Sequence, residues 1–227
     1  MYDRIVLNIP HSSSTFPFGK EGWDKGIDAE ILRWTDWYTD WLFQSTDSRV
    51  ISVTYPFSRF FCDVERLEDD PLESVGQGIV YRRFNGLKRS LSRQDEIWAI
   101  HSYYEHLSRL RSQINESKVL LLDCHSFPSD LSDVEVCIGF NNDWSCPSEE
   151  LIGITIDAFE SAGYNVGVNC PYSNAIAPQS PYTYKSMMIE LNKSTYLDGL
   201  SRLCLFRAEK VKGIIDRLYQ HLLYQND

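Results

Sequence analysis

The chain has no Cys-x-x-C pair, although six cysteines stand among its 227 residues. They are scattered singly at 62, 124, 137, 146, 170 and 204 in apolar contexts, the usage of a reduced, cytoplasmic protein. No apolar run approaches the roughly 18 residues of a membrane span, and a start carrying Asp3 and Arg4 and reaching Pro10 and His11 does not read as a signal peptide. Positive charge is scarce: 22 Lys and Arg face 32 Asp and Glu, a net charge of −10. That balance argues against a nucleic-acid partner, because no basic cluster is dense enough to offset it. The nearest, Arg82-Arg83 through Arg93, reads as a solvated loop. Repeats, low-complexity tracts and linkers are absent too. What remains is a chain that is 43% hydrophobic and 13% aromatic, able to bury the core of one α/β domain over residues 1–227.

Val119-Leu120-Leu121-Leu122 is apolar enough for a strand buried on both faces, and it runs into Asp123-Cys124-His125-Ser126-Phe127-Pro128. Alternation puts Asp123 and His125 on one face and Cys124 on the other, which argues against a Cys124 thiol nucleophile beside the histidine. Arg4 to Pro10 reads as another core strand, followed at once by His11. Further strands are expected at 49–55, 134–140, 164–168 and 186–192, the last carrying Glu190. Helices are expected from Asp28 to about Thr46, from near Asp95 to Glu116, from a Ser148 cap to Gly163, and from Gly199 to Tyr224. In the first, Asp36 and Asp40 share a face and repel by a few tenths of a kcal/mol, which suggests a metal or arginine nearby. The second is a crossover helix with Ile97, Ile100, Tyr104, Leu107, Leu110 and Ile114 buried. Residues 72–93 read as a long loop. Trp34, Trp37 and Trp41 read as core, and His101, His106 and His221 as structural or exposed.

His11, His125 and Glu190 thus each fall at or just past the end of a core strand, where open α/β sheets place their chemistry. Two histidines and a carboxylate are a common catalytic zinc ligand set, with water in the fourth place. Zinc makes hydroxide available at neutral pH, and a further carboxylate can shuttle the proton to the leaving group.

Ile-Pro-His-Ser at 9–12, Thr-Asp-Trp-Tyr at 35–38, Ser-Arg-Phe-Phe-Cys-Asp-Val-Glu-Arg at 58–66, Asp-Cys-His-Ser at 123–126 and Ile-Glu-Leu-Asn at 189–192 occur in that order. Together they resemble the N-formylglutamate amidohydrolase (deformylase) family, itself similar to the zinc carboxypeptidases. The resemblance implies a mixed, mostly parallel sheet flanked by helices on both faces, a zinc cofactor, a small acyl-amino-acid substrate and a place in histidine degradation. It implies His11 and His125 as zinc ligands, with Asp36 as the third because Ser14 occupies the position where carboxypeptidases carry a glutamate. It further implies Glu190 as general base and then acid, Arg66 as the grip on the substrate carboxylate, and Arg59 as support for oxyanion or carboxylate. Asp123 would orient His125.

Two positions depart from the family pattern. Glu65 replaces an asparagine and would put a negative charge beside the Arg66 grip, and Pro171 to Ala175 replaces a glycine-rich segment. The plainer alternatives are hydrogen-bonded structural histidines, an Asp36 on a helix surface or paired with Arg59 or Arg66, and a Glu190 paired with Lys193 or Arg202. Two other functions fit the residues: a carboxypeptidase-like or aminoacylase-like hydrolase, and a binding protein for a small molecule or metal on the same fold. Oligomeric state has no signature.

Overall fold

A computed structural model of the chain describes residues 2–20, 22–115 and 118–224. In chain order the elements are β1 (Arg4–Ile9), α1 (Ile27–Trp34), α2 (Thr39–Phe43), β2 (Val50–Thr54), β3 (Arg83–Phe84), β4 (Leu87–Lys88), α3 (Arg93–Gln113), β5 (Val119–Phe127), β6 (Val136–Gly139), α4 (Glu149–Glu160), β7 (Val166–Val168), β8 (Lys185–Asn192), β9 (Leu197–Asp198), β10 (Arg202–Leu203) and α5 (Leu205–Leu223).

Six strands form one sheet in the order β2-β1-β5-β8-β6-β7. Strands β2, β1, β5 and β8 pair in parallel, and β6 joins β8 antiparallel and then pairs in parallel with β7. All nine residues of β5 are buried, as its uninterrupted apolar run requires of a central strand. Alternation sends Ile5, Leu7, Leu120, Leu122, Cys124 and Ile189 to a core formed with α2, α4 and α5. The opposite face sends Val6, Val119 and Leu121 against Leu110 and Ile114 at the end of α3. Helices therefore cover both faces, and the polar residues Asn8, Asp123 and His125 fall on the α3 side.

Several elements differ from expectation, each for a local reason. The helix expected over 28–46 is two helices. Thr35 turns extended and its hydroxyl donates back to the Ile31 carbonyl at 2.7 Å, ending α1, and Tyr38 then takes a left-handed φ of 64° before α2 starts. Asp36 and Asp40 therefore share no helix face: Asp36 is buried in the break and Asp40 is exposed. Helix α3 begins under an Ser92 cap that accepts from Asp95 N, two residues ahead of the expected start, and ends at Gln113; the expected end, Glu116, lies outside the described residues. Its packed side is Ala99, Tyr103, His106, Leu107 and Leu110, while Ile97 and Tyr104 are exposed. The 72–93 stretch is no plain loop but holds a 3₁₀ turn at Pro71–Val75 and the β3–β4 hairpin. Within it Arg82 and Arg83 are exposed, but Arg89 is buried and donates to the Phe60 and Phe61 carbonyls at 2.8 and 3.0 Å. The last helix starts at Leu205, after a β9–β10 hairpin turned at Gly199 with φ of 83°. Ser148 does cap α4, accepting from Leu151 N.

Candidate metal centre and active-site cleft

The parallel register aligns the chemistry. Asn8 lies beside Asp123 across β1 and β5, and His125 lies beside Glu190 across β5 and β8. His11 follows β1 after Pro10. The break between α1 and α2 is strapped to it: Asp36 N donates to the His11 carbonyl at 2.9 Å, and Thr39 donates twice to the Asp36 carbonyl. Three elements distant in sequence thus deliver two imidazoles and a carboxylate to one buried point.

There, Asp36 Oδ2 lies 3.3 Å from His125 Nδ1 and 3.8 Å from His11 Nδ1. One ligand atom from each residue falls within 4.8 Å of the others, a spacing that fits one metal ion between them. The other ring nitrogens are held by carboxylates: His11 Nε2 is 2.8 Å from Asp63 Oδ1, and His125 Nε2 is 3.0 Å from Asp123 Oδ1. A carboxylate on one ring nitrogen leaves a lone pair on the other, the arrangement that orients an imidazole toward a cation. His11 Nδ1 is buried and has no hydrogen-bond partner. A buried ring nitrogen without a partner, facing a carboxylate and a second imidazole, suits a soft-to-borderline divalent cation such as zinc.

The electrostatics agree. Burial, and next the Arg59 charge, lower His11 to about 4, so its imidazole is neutral and can donate a lone pair. Burial would also lower His125, but Asp123, Asp36 and Glu65 outweigh it and hold it well above the ordinary value. A proton retained amid three carboxylates occupies a place that a metal cation can take. Asp36 stays below its usual value because contact with the two histidines outweighs its burial.

Glu190 completes the site. It lines the cleft beside His125, its Oε2 is buried without a partner, and burial pushes its carboxyl up to about 8. Neither Lys193 nor Arg202 holds it: Lys193 Nζ donates to the Arg33 carbonyl, and Arg202 pairs with Asp198.

Asp63 and Asn8, which the sequence reading did not single out, lie buried at this site. Asp63, fully buried, accepts from His11, from Arg59 Nη2 at 2.9 Å, from Tyr81 OH at 2.5 Å and from Glu65 N at 3.1 Å. It also lies 3.6 Å from Arg66 Nε. Both arginines are thereby anchored at the cleft wall, and Arg66 also donates to Tyr81 OH at 3.1 Å. Asn8 accepts from His106 Nε2 at 2.8 Å and donates to Asp123 Oδ1 at 2.9 Å and to Glu65 Oε1. His106 is therefore a buried member of a chain running His106–Asn8–Asp123–His125. A polar residue interrupting the apolar strand Ile-Val-Leu-Asn-Ile was the available signal for Asn8.

Glu65 corrects an expectation. Its carboxylate does not sit in the Arg66 grip but turns to Asn8, with Oε2 3.6 Å from His125 Nε2, where burial and then Asp123 push it up to about 7. It forms a second possible ligand group with Asp123 and His125. Trp34 departs from a pure core role: it packs edge-on against Phe84 and lines the cleft, whereas Trp37 and Trp41 pack on the core. The cleft encloses about 880 Å³ and is closed on one side by the 172–177 segment, whose Ile176 N donates to Asp123 Oδ2 at 3.0 Å.

The fold recurs in known structures. The crystal structure of an N-formylglutamate amidohydrolase from Ralstonia eutropha JMP134 aligns with a TM-score of 0.76 over 97% of this chain and 94% of that one, at 17% identity. That of a gene product from Agrobacterium tumefaciens aligns with a TM-score of 0.67 over 98% and 90%, also at 17% identity. At such identity the likeness concerns the fold alone. Comparison with curated protein sequences gives no match. A sequence model of the N-formylglutamate amidohydrolase family matches residues 3–197, which spans all five motifs and every site residue above. The chain belongs to the N-formylglutamate amidohydrolase family.

Proposed function

We propose that this chain is a zinc-dependent amidohydrolase that cleaves the amide C–N bond of a small N-acyl amino acid such as N-formylglutamate. The observation that carries the reading is a pair of buried atoms without hydrogen-bond partners in the same cleft: His11 Nδ1, facing Asp36 and His125, and Glu190 Oε2, on the strand next to His125. The first asks for a cation and the second for a proton.

His11, His125 and Asp36 would hold the ion. Bound there, zinc supplies Lewis acidity, lowering the pKa of a water to about 7 and polarising a carbonyl. Glu190 carries the proton. Its carboxyl, raised to about 8 by burial, would come down toward the working range with a cation held beside it, so that it accepts a proton from the attacking water and returns it to the leaving nitrogen. A C–O bond forms, the C–N bond breaks, and the products are a carboxylate and a free amine. Arg59, fixed by Asp63 and with Nε unpartnered, opposes the negative charge that develops on the carbonyl oxygen. Arg66, held at the cleft wall by Asp63 and Tyr81, receives the amino acid's carboxylate. The six unpaired cysteines, three of them buried, support a reducing, cytoplasmic setting.

The test is metal content after purification without chelators, followed by turnover of N-formylglutamate and other N-acyl amino acids. About one zinc per chain, lost in His125→Ala, is expected from the ligand set. Glu190→Gln should keep the zinc and lose about 10²- to 10⁴-fold in kcat. Undiminished turnover in zinc-loaded Glu190→Gln would refute the mechanism. A chain that takes up no zinc would refute the metal centre and leave a small-molecule-binding protein.

A further inference from the structure

The 172–177 segment that walls the cleft leaves β7 past two cysteines that the fold brings together. Across β6 and β7 Cys137 pairs with Gly167, and neighbouring strands stand about 4.8 Å apart. Beyond β7 the chain folds back over that pair: a Cβ at Gly167 would meet the Cys170 carbonyl at 2.2 Å. Asn169 pins the return to β6. It takes a left-handed φ of 51°, donates from N to the Ile138 carbonyl at 2.9 Å and accepts on Oδ1 from Phe140 N at 2.9 Å. Cys137 Sγ then donates to the Tyr172 carbonyl at 3.2 Å. The backbone N–H of Cys170 and its thiol both lie near enough to act on the Cys137 thiol. Cys137 is buried and Cys170 is exposed.

We infer that Cys137 and Cys170 form an oxidisable thiol pair, and that their disulfide loosens the cleft wall at 172–177. With a peroxide as oxidant, the exposed Cys170 sulfur attacks one oxygen and the O–O bond breaks, the thiol proton leaving with the released hydroxide as water. The sulfenic acid left on Cys170 is attacked by the Cys137 sulfur: an S–S bond forms, the S–O bond breaks, and a second water carries off the Cys137 proton. Two thiols lose two electrons and one peroxide becomes two waters. In a reducing compartment such disulfides are transient and redox-sensing. Once bonded to Cys170, Cys137 Sγ has no hydrogen left for the Tyr172 carbonyl. The Tyr172 ring lines the cleft and packs on Phe127 at 5.7 Å, and Ile176 N in the same segment holds Asp123 Oδ2. Cys137 is also paired with Glu190 across β6 and β8. The effect on turnover rests on the amidohydrolase reading; the disulfide and the loosened wall do not.

The test treats the reduced, zinc-loaded chain with hydrogen peroxide, blocks the remaining thiols and maps the peptides by mass spectrometry. Cleavage at aspartate and glutamate separates Cys137, Cys146 and Cys170, which trypsin leaves in one peptide. A cross-link between Cys137 and Cys170 is expected, with faster deuterium exchange in 172–177. Turnover of N-formylglutamate should fall about tenfold or more, since a displacement of about 1 Å near a reacting centre costs up to about 100-fold, and dithiothreitol should restore it. Cys170→Ser should turn over like the wild type before and after peroxide. Cys170 found as a sulfinic acid, or bridged to a second chain with Cys137 still free, overturns the pair. A cross-link that leaves the 172–177 exchange unchanged overturns the control of the wall. If the reduced chain hydrolyses no N-acyl amino acid, the hydrolase reading falls, while the cross-link and the exchange still decide this inference.

Discussion

Replacing Asp63 with asparagine changes one oxygen for an NH₂ group and tests whether this carboxylate holds the site together. Asp63 Oδ1 accepts from His11 Nε2 and Glu65 N, and Oδ2 accepts from Arg59 Nη2 and Tyr81 OH. If the asparagine oxygen keeps the first pair, its NH₂ faces two donors. Tyr81 can rotate its hydroxyl and accept instead, but the Arg59 guanidinium cannot accept and loses its counter-ion. Breaking a buried ion pair from one side costs about 3–5 kcal/mol. The lower end applies, because the Arg59 side chain keeps 17% of its surface exposed and water recovers part of the loss. His11 also loses an anionic acceptor, for which a fall of about 10- to 100-fold in zinc affinity is expected. Urea unfolding of the metal-free chain reads the first quantity, and competition against a chromophoric chelator reads the second. The double variant Asp63→Asn/Arg59→Met separates them: it should regain much of the lost stability, since the Arg59 charge is gone and Arg66 keeps Asp70, without regaining zinc affinity. A stability loss below about 1 kcal/mol in Asp63→Asn, with zinc affinity unchanged, would refute the account, because a buried charge cannot lose its partner so cheaply.

Zinc at a hundredfold excess over its Kd should stabilise the wild type by about 2.7 kcal/mol, raising Tm by about 5–10 °C in calorimetry. Glu190→Gln should keep that shift and His125→Ala should lose it; an equal shift in His125→Ala would remove His125 from the centre. The metal-free chain should lose stability as pH falls from about 6.5 to about 4, because His106, lowered to about 4 by burial, stays neutral in the fold while the unfolded chain takes up the proton. The gap of 2.5 units between 6.5 and about 4 is worth about 3 kcal/mol, fully expressed only below the lower value. In His106→Gln, whose amide can still donate to Asn8, the slope in urea midpoint across that window should be shallower by this amount. Superimposable slopes would assign the acid sensitivity elsewhere, to His11 first, whose shift has the same sign.

The parts of the fold legible in the sequence are those written in periodicity. The Val-Leu-Leu-Leu run could only be a strand covered on both faces, and alternation alone separated Cys124, in the core, from Asp123 and His125. Where tertiary contacts override local preference, the reading failed. The aromatic stripe from Ile31 to Leu42 is helical in period, but Thr35 and Thr39 both turn hydroxyls onto backbone carbonyls, and the chain breaks between them. That break withdraws Asp36 from a helix surface, where its charge would be solvated, and sets it against two imidazoles.

Asp63 shows why the remainder of the site was harder to see. It lies in the recognisable Ser-Arg-Phe-Phe-Cys-Asp-Val-Glu-Arg segment, yet its role depends on partners at 11, 59 and 81, and only the last two are near it in sequence. No periodicity marks such a residue; what marks it is the number of donors a buried carboxylate must gather before its burial is tolerable. The same accounting applies to Glu65. Read as a neighbour of Arg66, it looked like a charge spoiling a carboxylate grip. The turn it occupies after Asp63 instead directs it toward Asn8 and His125, so its charge lies away from Arg66 and beside the histidine.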